Sequence, residues 1–137
     1  MCKIQEFTGK YACFSNSAPC IVEYDGMVFL NSEAAYQSAK TVTSEERVPF
    51  TVMAPEAAIL AGKKLKVRED WEVIKYRVLY DIVKNKFYTN EKYKDILLST
   101  GDVYIGEDTY CCSLSDSGEC LGKILMSVRD RLKARNY

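Results

Sequence analysis

Leu30–Asn31–Ser32–Glu33–Ala34–Ala35–Tyr36–Gln37–Ser38–Ala39–Lys40 is the stretch around which the 137-residue chain is organised. It reads as a short helix, with Asn31 or Ser32 placed to cap the N-terminus by accepting one of its orphan amides. At 3.6 residues per turn, Glu33, Tyr36, Gln37 and Lys40 fall at i, i+3, i+4 and i+7, on a single face. Ala34, Ala35, Ser38 and Ala39 make up the other face. An ordinary amphipathic helix carries large aliphatics on its inner side. With only small residues there, this one is expected to be held by close backbone approach. Its polar face offers a carboxylate, a phenol, an amide and an amine, which suit proton transfer and nucleophilic attack. A solvated surface helix is the plainer alternative, because exposed Glu–Lys pairs contribute little by themselves.

Just upstream, Ile21–Val22–Glu23–Tyr24 and Met27–Val28–Phe29–Leu30 flank Asp25–Gly26. Asp-Gly between two β-rich runs predicts a two-residue hairpin turn, whose second strand leads directly into the Glu33 helix. Further back, Lys3 to Phe7 is a strand candidate, Thr8–Tyr11 a turn and Phe14–Pro19 a polar loop. Downstream, Thr43–Ser44–Glu45–Glu46 opens a new helix. Pro55 sits in the first turn of another, with Gly62 as its expected stop and the basic run Lys63–Arg68 after it. Asp70 is the expected cap of a long helix reaching about Phe87, with Trp71, Ile74, Val78, Leu79, Ile82 and Val83 as its apolar stripe. Thr89 or Asn90 starts a helix ending near Gly101, Val103–Ile105 is a third short strand, and 120–134 is a last helix. The expected class is α+β, mostly α-helical with a small antiparallel β element, as one domain over residues 1–137.

Composition narrows the chemistry. Hydrophobic residues make up 47% and charged residues 28%, both globular values. Nineteen basic and nineteen acidic residues cancel, so no global field recruits nucleic acid or an anionic membrane. No apolar run reaches the ~18 residues of a membrane span, and the first six residues carry no signal-peptide core, so a cytoplasmic location is expected. The six cysteines are then expected to be free thiols, since a core of this size needs no staples. Their spacing fits no C-x-x-C site, and histidine is absent from the chain; neither a metal nor a cofactor is expected. Without histidine, Ser-His-Asp and Cys-His catalysis are excluded, and proton transfer falls to Glu, Asp, Lys, Tyr or Cys. There is no G-x-G-x-x-G after a strand and no P-loop.

Taken in order, Phe14–Ser15–Asn16, the Asp25–Gly26 hairpin, Ser32–Glu33 with Tyr36, Gln37 and Lys40, Asp70–Trp71 opening the long helix, and Leu121–Gly122 in the last one resemble the YbiA-like (NADAR) family over roughly the whole chain. The resemblance implies N-glycosidase activity, the hydrolysis of the bond between a base or amine and a phosphorylated ribose. Substrates implied are early riboflavin-pathway ribosylamino intermediates or ADP-ribosyl conjugates, including ADP-ribosylated nucleic acid. It implies Glu33 and Lys40 as the catalytic pair, and Trp71, Phe14 and Asn16 as pocket residues. Lys63, after Gly62, would then contact phosphate. The chain departs from the pattern where relatives carry Tyr-Trp-Gly-Asp: here Tyr110–Cys111–Cys112–Ser113 stands in that place, with Glu119 at the position of an Asn. Asp116 is the residue left to supply the missing carboxylate. That departure keeps a second class open, a non-catalytic module that sequesters ADP-ribose or a nucleotide.

Chemically, a glycosidic bond breaks when the leaving nitrogen is protonated and the anomeric carbon is stabilised or attacked. Glu33 is expected to move the proton and Lys40 to attack, between walls supplied by Tyr36 and Trp71. On residue type alone, plainer readings stand beside each of these. Lys40 also reads as a phosphate-pairing cation, Trp71 as core and Asn16 as an Asx-turn residue. Lys63–Arg68 also reads as a solvated face, and Cys111 and Cys112 as small buried hydrophobes.

Overall fold

The structure is a computed structural model that describes residues 3–4, 6–106 and 121–135. A hairpin, β2 (Pro19–Tyr24) and β3 (Met27–Asn31), turns on Asp25 and Gly26, both with positive φ, as a two-residue turn of this hand requires. Val22 and Phe29 pair across it and face inward with no exposure. Beyond the hairpin, β1 (Lys3–Ile4) pairs with β4 (Tyr104–Ile105). That pair is parallel, so the antiparallel element expected from the sequence is joined by a second, parallel one, and the expected strand over 3–7 shortens to two residues. Phe7 still enters the core from the turn that follows.

The described residues also form six α-helices. They are α1 (Ser32–Ser38), α2 (Ser44–Arg47), α3 (Pro55–Lys63), α4 (Trp71–Thr89), α5 (Glu91–Ser99) and α6 (Leu121–Arg135). Thr43 caps α2 through a reciprocal pair of bonds: its hydroxyl accepts from the Glu46 amide and donates to the Glu46 carboxylate. Arg47, buried at the end of α2, pairs with Asp25 and so ties α2 to the hairpin turn. The central helix α4 lies across β2 and against α1, α5 and α6. It buries Trp71, Val78, Leu79, Ile82, Val83 and Phe87, the stripe read from the sequence extended by one turn, except that Ile74 is only partly buried. On α6, Leu125 and Val128 close the core, and Gly122 lets the helix approach β4, where an added Cβ would lie 2.5 Å from the Ile105 carbonyl.

Two expected boundaries change for physical reasons. Gly62 does not stop α3; it lies buried inside the last turn, where the Gln37 side chain of α1 occupies the place a Cβ would take. Asp70 holds the position before α4, yet its carboxylate does not cap the helix. Arg68 takes it instead, with Nε 2.6 Å from Oδ1 and Nη2 3.2 Å from Oδ2. That pairing holds the Asp70 carboxyl below the usual range.

Candidate active site

Every residue of α1 is buried, which sets aside the solvated-helix alternative. Asn31 begins the arrangement, being both the last residue of β3 and the N-cap of α1. Its Oδ1 accepts from the Ala34 amide at 2.8 Å, and its Nδ2 donates to the Met53 carbonyl at 3.0 Å. A third tie comes from the loop after Phe14: the Glu33 amide donates to the Asn16 carbonyl at 3.0 Å. Strand, loop and the 3₁₀ turn Val48–Val52, through the Met53 that follows it, thus converge on the first turn of one short helix. Ala34, Ala35 and Ala39, with little or no exposure, let it nest against α3 and α4.

At the other end the helix closes sooner than its pattern predicts. Regular α-helix stops at Ser38, and Lys40 and Thr41 continue in tighter bonds, their amides reaching the Gln37 and Ser38 carbonyls. The Ser38 hydroxyl donates to the Ala35 carbonyl and the Thr41 hydroxyl to the Ser38 carbonyl, both at 2.7 Å, which draws the end inward. Lys40 therefore lies just past the helix rather than at a clean i+7. The Lys40 carbonyl accepts from the Arg68 amide at 3.0 Å, which fixes this end to the segment leading into α4. Beside it opens a groove of 520 Å³ lined by Val42, Lys66, Val67, Arg68, Glu69 and Asp70.

The chemical groups are now in place. Glu33 is 3% exposed, and Gln37 donates from Nε2 to its Oε2 at 2.9 Å. Tyr36 packs edge-on against Trp71, with ring centres 5.1 Å apart. The half-buried Lys40 ammonium lies 6.0 Å from the Tyr36 ring and 5.8 Å from the Trp71 ring, within cation–π range of both. Trp71 is 3% exposed, so it is core and cluster wall together. A carboxylate in the first turn of α1 and an amine just past its end, the amine against two aromatic rings, are groups able to transfer a proton and attack an electrophilic carbon.

The remaining candidates are placed as follows. Asn16 is buried and supplies the carbonyl under Glu33. Phe14 has no exposure; it stacks on Tyr11 at 5.3 Å and meets Phe87 and Phe7 edge-on, so it supports the loop from behind. Lys63 is exposed at the end of α3. Asp116 and the Cys111–Ser113 segment lie outside the described residues. Among those residues, no group of three or more His, Cys, Asp or Glu can hold a metal ion. No described helix is long and apolar enough to cross a membrane.

A family model for the NADAR domain matches residues 4–133. The chain belongs to the NADAR family. This NADAR chain is 31% identical over 135 residues to an N-glycosidase of Nostoc punctiforme, a match covering 90% of this chain and 86% of that protein. It is 28% identical to the N-glycosidase YbiA of Escherichia coli, covering 89% of this chain and 82% of that one. It is also 32% identical to a riboflavin biosynthesis protein of Vibrio vulnificus, of which it spans 35% of the length. The solution structure of E. coli YbiA shares the fold, with a TM-score of 0.82 at 24% identity over 98% of this chain and 86% of that one.

Two buried polar groups of this NADAR domain differ in how far its sequence announced them. Gln37 was visible on the polar face, and its i, i+4 spacing from Glu33 is the signal for their bond. Lys86 is 1% exposed, in the stripe of α4. Its ammonium donates to the Ser15 carbonyl at 2.9 Å and lies near the Phe87 and Tyr93 rings. Burial pushes its proton affinity down, opposed by the nearby Cys20 and Cys13 thiols. Burial likewise pushes both thiols up, opposed by Lys86. A lysine one turn beyond Leu79, Ile82 and Val83 is the only trace of this in the sequence.

Proposed function

We propose that this NADAR domain is an N-glycosidase that hydrolyses the bond between a base or amine and the ribose of a phosphate-bearing substrate, either an ADP-ribosyl conjugate or a riboflavin-pathway-like ribosylamino intermediate. The observation that supports it best is the fully buried α1, which holds the Glu33 carboxylate in the core and ends at an amine against Tyr36 and Trp71. Burial of a carboxylate has a cost that packing alone never repays, so its retention there favours chemistry. The names of the relatives from Nostoc punctiforme and E. coli support the reaction class.

In this reading substrate binding moves the Lys40 ammonium proton to the Glu33 carboxylate; Glu33 then delivers it to the leaving nitrogen while the freed amine bonds to the anomeric carbon. The base departs with the electron pair of the C–N bond. The ribose ring oxygen then leaves the same carbon and takes a proton, giving an imine of the ring-opened sugar on Lys40. Water adds to that imine, and the amine is expelled to release the sugar phosphate. Asn16 and Asn31 hold the helix so that the carboxylate does not swing as charge develops.

Mass spectrometry of a panel of ribosylamino phosphates and ADP-ribosyl conjugates, incubated with the protein and with Glu33→Gln, tests this. Free base plus sugar phosphate from the wild type, and ~10²-fold less or none from the variant, is the expected result. Intact ligand released only on denaturation would make the domain a sequestering module instead.

A further inference from the structure

Gln37 is 2% exposed, and the two ends of its side-chain amide have unlike surroundings. The NH2 group donates to the Glu33 carboxylate at 2.9 Å. The carbonyl oxygen is buried with no hydrogen-bond partner and lies against α3, where a Cβ on residue 62 would come within 2.0 Å of it. For packing alone this is a poor choice of residue, since an apolar side chain of similar length would fill the space and leave no acceptor idle. Across an ionised Glu33 a flipped amide would set two acceptors face to face. A donor aimed at a buried carboxylate favours its charged form and restricts its rotation.

We propose that Gln37 is a positioning residue for Glu33: its amide, seated in the gap left by Gly62, pins one carboxylate oxygen and keeps the group anionic until substrate arrives. Gly62 is bare because the amide occupies the place of its side chain, which couples α3 to the chemistry on α1 without touching substrate.

Other ionisable groups surround α1. Tyr36 and Lys40 belong to its own turns; α3 brings the exposed Glu56 and Lys63; α4 brings the buried Lys86 and the half-buried Lys75 among others; β2 brings Cys20, Glu23 and Tyr24. Neither β3 nor the 48–52 turn contributes any. All of these stay in place when only Gln37 or Gly62 is changed, so a difference between variants reports the amide.

The inference rests on the N-glycosidase reading for its kinetic arm only. The first measurement is the pH titration of the 13C-labelled Glu33 carboxyl by NMR, its signal identified by loss in Glu33→Gln. In Gln37→Met the midpoint is expected to rise by about one pH unit. The acidic limb of kcat/KM should move with it, and kcat should fall more than KM changes. Gly62→Ala, which keeps the amide but displaces it, should shift the carboxyl in the same direction and serves if the first variant does not fold. An unmoved Glu33 titration in a folded variant overturns the proposal, even if turnover drops. A shifted carboxyl together with no turnover in the unaltered protein leaves Gln37 as proposed and removes the glycosidase reading instead.

Discussion

All seven residues of α1 are buried, a carboxylate and a primary amide among them, whereas α4 uses nineteen residues to bury one apolar stripe and leaves most of its charges outside. The two helices touch, so they share one core under one set of physical rules. In α4 the core is served by the helix: Leu79 and Ile82 have no exposure, while Glu72 and Arg77 are solvated. In α1 the core serves the helix, because alanines, caps and a neighbour's glycine are arranged to hold polar groups where water is scarce. The difference marks α1 as the helix whose packing is arranged around polar groups. Polar burial is unfavourable unless each group has a partner; on α1 the Glu33 carboxylate and the Ser38 hydroxyl have theirs, while the Gln37 carbonyl oxygen does not.

The comparison can be broken most sharply at Lys40. Lys40→Met should lower turnover by ~10²-fold or more and abolish any adduct trapped by borohydride, read by intact-protein mass. Full rate in Lys40→Arg with no trapped adduct would leave α1 buried without covalent chemistry. In α4, Leu79→Ala should cost about 2–5 kcal/mol in urea unfolding, the ordinary result for a large core aliphatic. In α1 the sensitivity runs the other way. Ala35→Leu should cost about 1–3 kcal/mol by overpacking the small face, and should also lower turnover by displacing Glu33. The smallest expected effect lies at Lys86, the one place where α4 behaves like α1. Lys86→Met should stabilise the fold at neutral pH by about 1 kcal/mol, since it removes a buried cation while the Ser15 carbonyl keeps its bond from the Ala18 amide.

Lys86 also carries a pH signature. Its affinity for the proton is lowered by folding, so between the folded and unfolded values only the unfolded chain holds that proton. Stability therefore rises with pH across that window, and the full burial penalty is felt below it. Lys86→Met should flatten the rise, measured by urea unfolding at neutral pH and near pH 10.

How much of this the sequence carried follows from the range of each interaction. Asp25–Gly26 and the stripe of α4 were legible because a turn and a 3.6-residue period are local. Glu33, Tyr36 and Lys40 were legible as one group because a single helix brings them together, and Trp71 joined them through the family resemblance. The parallel pairing of β1 with β4 was not legible, since two residues at each end of a hundred-residue separation leave no period to read. Nor was the early end of α1, which depends on Ser38 and Thr41 turning their hydroxyls onto the backbone. Gly62 read as a stop because its true reason, the approach of Gln37, belongs to another element.

Asn31 closes a hydrogen-bonded ladder with one part of itself and starts a helix with another. No spacer separates the sheet from the acid. One residue inserted between Phe29 and Glu33 would swing the carboxylate by about 100° around the helix axis, and one deleted would swing it back as far the other way. Drift in chain length is therefore forbidden across this junction. Related proteins of different size should take up their extra residues elsewhere.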